Sequence, residues 1–291
     1  MCRKIIVIAL CMFVFATSAK ASDLSSMCSQ PYDMSWKSTQ VITTITGMTF
    51  LSQAVANSII KKELRKSMGS KHFRVKMKSF SANDLAAGRF KSLDISGKDL
   101  NLDGVYLSKF SASTICDFNY IKATKKSVKF KENFAMKYSM AVTEDDLKKT
   151  VLSESYLKFL NSLNIKAGGI NLLELKNIDL KLKDNRFLFS MYMDNRIFNY
   201  SVPFEVDVST KMSVQNGQLK LSEIVFQKSN KMLNLSQVSN ILNIINPLKY
   251  TVNILDNENA KVEIKTLDIK DKKLALDGTV FIPKNMEESR K

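Results

Sequence analysis

Histidine is almost missing from this 291-residue chain, which contains only His72, beside Lys71 and near Arg74. A single histidine excludes metal sites built from several imidazoles. It also leaves any Ser-His-Asp triad dependent on an imidazole among cations, where it makes a poor base. The chain has no G-x-S-x-G elbow, P-loop or dinucleotide fingerprint. We therefore expect no catalytic residues, no cofactor and no metal, with His72 on the surface.

Long hydrophobic runs are also scarce, apart from one at the N-terminus. Arg3 and Lys4 precede an apolar run from Ile5 to Ala16, and Ala19-Lys20-Ala21 has the A-x-A form of a cleavage site. The run is too short to span a bilayer of ~30 Å as a helix. We predict a signal peptide at residues 1–21 and an exported protein of the periplasm or cell envelope, an uncleaved anchor being the alternative.

Cysteine is rare, and only Cys28 and Cys116 follow the predicted cleavage site. In an oxidising compartment an even pair favours one disulfide, which would tie the N-terminus to the first strands. The alternative is two isolated buried thiols. The chain contains no C-x-x-C, so nothing supports a zinc or redox site.

Only 4 prolines and 9 glycines are present, and no Pro/Gly/Ser-rich linker marks a domain boundary. We therefore predict an N-terminal segment at residues 22–37, one domain at 38–284 and a disordered charged tail at 285–291.

Acidic residues are too few to balance the basic ones, and the chain carries a formal charge of +16. Cleavage would remove three basic residues and leave +13. For an exported protein this charge favours phospholipid headgroups and an anionic membrane surface as partners, rather than nucleic acid. The alternative is that excess lysine only maintains solubility.

A long amphipathic helix is predicted from Ser38 to Ser67. Its apolar stripe is Val41, Ile45, Met48, Leu51, Val55 and Ile59. Basic residues crowd its last turns, where they suit the helix dipole: Lys61, Lys62, Arg65 and Lys66. The stripe is expected to pack on a sheet, to line a lipid groove with its basic end near phosphate, or both.

Two long runs alternate apolar and polar residues with period two, Val128 to Val142 and Val202 to Val214. Phe187 to Met193 is apolar on both faces, which indicates a buried central strand or a groove wall. Two further helices are predicted, one from Glu144 to Leu163 with Thr143 as its cap and a short one from Val238 to Ile245. Together with the first helix, these are too few to cover the apolar face of strands of this length. Either the sheet packs on itself, or part of its apolar face is left for acyl chains.

A module recurs in the chain. Lys91–Val105 aligns without gaps with Lys265–Thr279, and a shorter echo begins at Lys176. The D-L-x-x-G run from Asp84, the following L-x-L-D-G and the T-E-D-D-L helix start at Thr143 resemble the LmeA-like phospholipid-binding family of exported bacterial proteins. The resemblance covers roughly residues 73–282. It implies a cell-envelope protein that holds phospholipid in a fold akin to the tubular lipid-binding proteins.

The predicted fold is α+β, with a long, strongly curved antiparallel sheet wrapped around one or two amphipathic helices and built from duplicated helix-hairpin modules. The predicted function is non-enzymatic phospholipid binding or transfer, with Lys61, Lys62, Arg65 and Lys66 contacting headgroups or the membrane surface. The alternative is a structural envelope protein with a self-filled core. The apolar groove is expected to comprise Val41, Ile45, Met48, Val55, Ile59, Phe130, Phe134, Met136, Tyr138, Met140, Phe189, Met191, Phe204 and Val206.

Overall fold

The computed structural model describes residues 27–123, 127–162, 165–167, 170–183, 186–197, 200–228 and 260–289, and the single positions 239, 242 and 246. The predicted signal peptide and most of the helix predicted at Val238 to Ile245 lie outside these residues. Antiparallel strands dominate and helices are few, so the fold is α+β, as predicted.

The helices of the described chain are short except for one. They are α1 (Lys37–Ile45), α2 (Met48–Met68), α3 (Ala82–Ala86), α4 (Glu144–Val151) and α5 (Glu154–Ser162). The long helix predicted from Ser38 to Ser67 is interrupted at Gly47, which has a left-handed φ of 73°. The helix predicted from Glu144 begins as expected, with Thr143 and Asp146 forming a capping box, but it breaks at Leu152 and Ser153.

Fifteen strands form three antiparallel sheets among the described residues. The six-stranded sheet has the order β1-β3-β4-β7-β14-β13. Its strands are β1 (His72–Lys78), β3 (Ser92–Leu102), β4 (Val105–Thr114), β7 (Phe134–Thr143), β13 (Lys261–Lys270) and β14 (Lys273–Ile282).

The five-stranded sheet has the order β12-β11-β10-β9-β8, so β10 is its central strand. Its strands are β8 (Ile165–Ala167), β9 (Ile170–Lys183), β10 (Arg186–Ile197), β11 (Tyr200–Gln215) and β12 (Gln218–Lys228). The run predicted from Val202 to Val214 therefore lies in one long strand, β11.

The four-stranded sheet is small and has the order β15-β6-β5-β2. Its strands are β2 (Arg89–Phe90), β5 (Asn119–Ala123), β6 (Ser127–Phe130) and β15 (Glu287–Ser289). The prediction of a disordered tail at residues 285–291 is wrong at β15, which pairs with β6. The Asn285 N–H also donates to the Phe130 carbonyl at 2.7 Å, which joins the C-terminal segment to this sheet.

The run predicted as one strand from Val128 to Val142 is divided between two sheets, β6 and β7. The break at Lys131–Asn133 falls where Glu132 interrupts the apolar alternation. Its carboxylate accepts hydrogen bonds from the hydroxyls of Ser29 and Tyr32, and these keep it at the corner of the chain.

The two aligned copies of the module differ in the position of their turns. In the first copy β3 continues through Gly97 to Leu102, and the turn falls at Asp103 and Gly104. In the second copy the turn falls at Asp271 and Lys272. The sequence similarity is therefore not matched by a common turn.

One contiguous cluster of buried side chains includes residues from the six-stranded and five-stranded sheets. The two are also linked through α4, where the Glu144 carboxylate accepts a hydrogen bond from the Leu182 N–H of β9 at 3.0 Å. Burial raises the pKa of Glu144, but this hydrogen bond and Lys148 outweigh it, so that the pKa is lowered overall.

Candidate functional site

An apolar groove of about 490 Å³ lies between α2, α3 and the four-stranded sheet. This volume is within the roughly 300–1,000 Å³ that is typical of small-molecule sites. One wall is Ala56 and Ile60 of α2, and Met77 and Leu93 belong to the edge of the six-stranded sheet. The remaining lining residues come from α3 and the small sheet: Leu85, Ala86, Ala87, Gly88, Phe90, Tyr120, Ile121, Lys122, Ala123, Val128 and Phe130.

Gly88 allows the wall of the groove to form. Its φ is 88°, and a Cβ at this position would lie 2.0 Å from the Ile121 carbonyl oxygen. The Ile121 N–H donates to the Gly88 carbonyl at 2.9 Å. The exit of α3 and strand β5 therefore approach each other more closely than any residue with a side chain would permit.

A buried carboxylate lies beside this wall and anchors the chain before α1. Asp84 accepts hydrogen bonds from the Ser35 N–H at 2.9 Å and from the hydroxyls of Ser35 and Ser81 at 2.6 Å. Arg89 forms an ion pair with Asp84 at 3.1 Å. Burial raises the pKa of Asp84, but the hydrogen bonds from Ser35 and Ser81 and the Arg89 charge outweigh it, so that the pKa is lowered.

The charged end of the groove is formed by Lys122 and Arg89, which the sequence pattern does not predict as site residues. Lys122 lines the groove and is exposed, so its ammonium group is available to an anionic group at the groove mouth. The Arg89 guanidinium lies 5.8 Å from the centre of the Tyr120 ring, which also lines the groove. An apolar interior with Lys122 at its rim suits an acyl chain that bears an anionic headgroup.

The N-terminal segment is fixed to the site by a disulfide. Cys28 and Cys116 form a disulfide, with their Cα atoms 5.4 Å apart, and are therefore not two isolated buried thiols. Glu132 accepts its hydrogen bonds from Ser29 and Tyr32 in the same segment. Burial and the Glu132 carboxylate raise the pKa of Tyr32 to about 12.

The apolar stripe of the predicted helix lies on the outside of the molecule, so the expectation that it packs on the sheet is wrong, and none of its members is among the residues that line the groove. Each predicted member is more than half exposed: Val41, Ile45, Met48, Leu51, Val55 and Ile59. The opposite face of α2 packs inward through Ala56, Ile60, Leu64 and Met68.

Polar contacts account for this orientation. Gln53 donates to the Ser79 hydroxyl at 3.0 Å, and Asn57 accepts from the Met77 N–H at 2.9 Å. These side chains pair polar groups next to the edge strand β1, which an apolar residue at the same positions would leave unpaired.

The basic residues predicted to contact headgroups also lie away from the groove. Lys62, Arg65 and Lys66 are exposed and Lys61 is half-buried, and none of the four lines the groove. The Arg65 side chain donates a hydrogen bond of 3.2 Å to the carbonyl of Lys71, which lies just after the end of α2, and this contact fixes the position of the guanidinium group.

Among the groove residues predicted on strands, Phe130 lines the groove. Phe134, Met136 and Met140 of β7 are instead in the buried core, as are Phe189, Met191 and Val206 of the five-stranded sheet, with Phe204 packed against it. Alternation identifies an inward face, but it does not show whether protein or ligand covers that face.

Tyr138 is also buried, and it lines a second cavity of about 590 Å³ on the polar face of the six-stranded sheet. Serines and charged side chains dominate this cavity, among them Ser96, Ser111, Lys76 and Lys137. Most residues that line this cavity carry a polar or charged group, whereas the groove is lined mainly by aliphatic and aromatic residues, so the groove is the better candidate site for an acyl chain.

The described residues contain no group of three or more His, Cys, Asp or Glu side chains placed to hold a metal ion. Within the same part of the chain, no helix combines the length and the apolar character needed to cross a bilayer. Comparison of the sequence with family models and curated proteins, and of the structure with solved structures, gave no match.

Proposed function

We propose that this chain is a non-enzymatic phospholipid-binding or lipid-transfer protein, in which the groove between α2, α3 and the four-stranded sheet holds an acyl chain. The observation that carries the proposal is the apolar lining of a cavity of about 490 Å³. Burial of each CH₂ group contributes ~0.8 kcal/mol, so even part of one lipid tail provides enough free energy for uptake.

In this proposal the groove holds a single acyl chain of the lipid, and the lipid headgroup remains at the rim of the groove. Lys122 is a cation on the lining itself, and the basic residues Lys61, Lys62, Arg65 and Lys66 lie further along α2, the helix that forms one wall. Transfer then consists of shielding a tail from water, with no bond made or broken, and release takes place into a membrane or to a partner.

The proposal also includes the detailed fold, a strongly curved sheet wrapped around the helices and built from duplicated helix-hairpin modules. It further includes membership of the LmeA-like family and export to the periplasm or cell envelope. A disulfide that joins the N-terminal segment to the first sheet is in keeping with an oxidising compartment.

The alternative function is a structural envelope protein with a self-filled core and no ligand. It is favoured by the complete burial of Phe187, Phe189, Met191 and Val206 in the five-stranded sheet, which leaves no apolar face vacant at these positions. This observation concerns the long strands, whereas the groove lies at the four-stranded sheet.

Lipid uptake separates the two functions. The purified protein is incubated with phospholipid vesicles, re-isolated and extracted with organic solvent, and the extract is analysed by mass spectrometry. The proposal predicts phospholipid in the extract in a fixed ratio to protein. A lipid-free extract would favour the structural alternative.

A further inference from the structure

A set of exposed apolar side chains on α1 and α2, together with Trp36 just before α1, is not used by the groove. We call it the outer face. It is formed by exposed side chains that include Trp36, Ile45, Phe50, Leu51, Val55 and Ile59. Trp36, Ile45 and Phe50 are 83%, 79% and 73% exposed. Many large exposed apolar side chains on two neighbouring helices indicate an interaction site, whereas single exposed apolar residues do not.

The outer face is held outward by the fold. α2 is fixed to β1 by the hydrogen bonds of Gln53 and Asn57 and by the burial of Leu64 and Met68. Rotation that buried Val55 would break both hydrogen bonds and expose two fully buried side chains. The apolar exposure is therefore a consequence of the specific packing of α2.

The charged residues that precede Glu63 in α1 and α2 are all basic. No Asp or Glu occurs between Asp33 and Glu63 in the sequence, although 25% of the chain is charged. Val55, Ile59, Lys62 and Lys66 follow one another at helical spacing of three or four residues, so the apolar stripe continues directly into a basic one. An apolar face bordered by cations complements a surface that is apolar beneath an anionic layer.

The polar side chains within the outer face are compatible with partial burial in lipid. The hydroxyls of Thr44, Thr46 and Ser52 each donate to the backbone carbonyl four residues earlier, at 2.8 Å. Their donors are therefore satisfied inside the helices and need no water.

We propose that the outer face docks onto an anionic phospholipid bilayer. The helices would lie parallel to the surface, with the apolar side chains at the boundary between headgroups and acyl chains and with Lys62 and Lys66 among the headgroups. The inference deepens the proposed function and rests on it for its purpose, because Ala56 and Ile60 of the same helix line the groove. Docking would bring the groove to the membrane from which a tail is taken.

The chain contains its own probe of docking, because Trp36 is its single tryptophan. The full chain is mixed with vesicles of phosphatidylcholine with or without phosphatidylglycerol, and Trp36 emission and co-sedimentation are measured. We expect a blue shift and sedimentation with the anionic vesicles, both weakened by salt. The absence of a shift and of sedimentation would overturn the inference.

Substitutions at exposed positions should leave the fold intact. Val55→Glu with Ile59→Glu should abolish the blue shift, whereas Val225→Glu, at an apolar residue of β12 that is similarly exposed, should not. Lys62→Gln with Lys66→Gln should weaken binding to anionic vesicles roughly 30-fold, which corresponds to ~1 kcal/mol for each charge. Equal binding by the Val55→Glu/Ile59→Glu variant would contradict the inference.

Two further measurements separate the possible occupants and functions. If the outer face joined two copies of this chain, analytical ultracentrifugation would show a dimer that Val55→Glu/Ile59→Glu dissociates and vesicles would cause no blue shift, which overturns docking. Uptake of a soluble short-chain phosphatidylglycerol tests the groove alone. Uptake without docking would overturn only this inference, and docking without uptake would overturn only the proposed function.

Discussion

The Oδ1 atom of Asn57 accepts a hydrogen bond of 2.9 Å from the backbone N–H of Met77, and this contact fixes α2 on the edge strand β1. With the hydrogen bond of Gln53 and the burial of Leu64 and Met68, it holds α2 so that Ala56 and Ile60 line the groove while Val55 and Ile59 face outward. The orientation of the helix thus serves both the groove and the outer face.

Replacement of Asn57 by Leu should lower the free energy of unfolding by ~1–3 kcal/mol, because the Met77 N–H would lose its partner beneath α2. Urea denaturation followed by circular dichroism measures the change. Ser58→Ala is the control on the same helix, since Ser58 is exposed. Equal stability of the two variants would contradict the role assigned to Asn57.

Gly88→Ala should destabilise the protein by more than ~2 kcal/mol, because the new Cβ would both adopt a left-handed φ and meet the Ile121 carbonyl oxygen. Gly47→Ala is the matched control, since Gly47 also has a positive φ but would have no atom within 4 Å of its Cβ. We expect a cost of only ~1 kcal/mol there. Similar costs at both positions would show that the close approach of α3 and β5 is unimportant.

The Asp84 carboxylate should make stability depend on acid pH. Its pKa is lowered from the ordinary value of 3.8 in the folded protein, so ionised Asp84 stabilises the fold above that value. The contribution is lost as the pH falls below 3.8 through the lowered pKa. Asp84→Asn should lower the free energy of unfolding by ~2–3 kcal/mol at pH 7, near the lower end of the range for breaking a buried ion pair. The loss is moderate because Asp33 gives Arg89 a second partner.

Urea denaturation at a series of pH values measures both effects. The difference in unfolding free energy between wild type and Asp84→Asn should shrink steadily under acid conditions. A difference that stayed constant with pH would show that the charge on Asp84 does not stabilise the fold. Asp145→Asn, at an exposed acid in the first turn of α4, is the control for general charge effects.

The disulfide should contribute strongly to stability, because Cys28 and Cys116 are separated by 88 positions in the sequence. Constraint of the unfolded chain by a loop of this length is worth ~4 kcal/mol in the entropy model. Addition of a reductant should lower the urea midpoint of the wild type. The Cys28→Ser/Cys116→Ser variant should already have the lower midpoint and should respond little to reductant.

Local signals in the sequence predicted several elements correctly. Thr143 begins a helix through its capping box, β11 contains the whole second alternating run, and β10 is a central strand as its apolar composition indicated. Each of these features depends on residues close together in the chain. Periodicity and capping therefore identify them.

The parts that could not be predicted depend on distant contacts. Whether the stripe of α2 faced inward was decided by Gln53 and Asn57 pairing with polar groups next to β1. The break at Glu132 depended on Ser29 and Tyr32, about a hundred positions earlier. The alternation of apolar and polar residues within a segment contains no information about the distant side chains that this segment contacts.

The groove was missed in most of its residues for the same reason. The alternating run predicts Phe130 as a groove residue, but the D-L-x-x-G pattern at Asp84 to Gly88 does not by itself indicate a binding site. The sequence signal that marks the groove is Gly88, whose freedom from a side chain lets α3 approach β5.

If the apolar groove holds a lipid tail, filling the groove with a larger side chain should abolish lipid binding. Ala56→Phe adds a ring to the groove wall, whereas Ala54→Phe adds the same ring at an exposed position of α2. Native mass spectrometry after incubation with short-chain phosphatidylglycerol should show one bound lipid for the wild type and for Ala54→Phe, and none for Ala56→Phe. Equal occupancy in all three proteins would contradict the account.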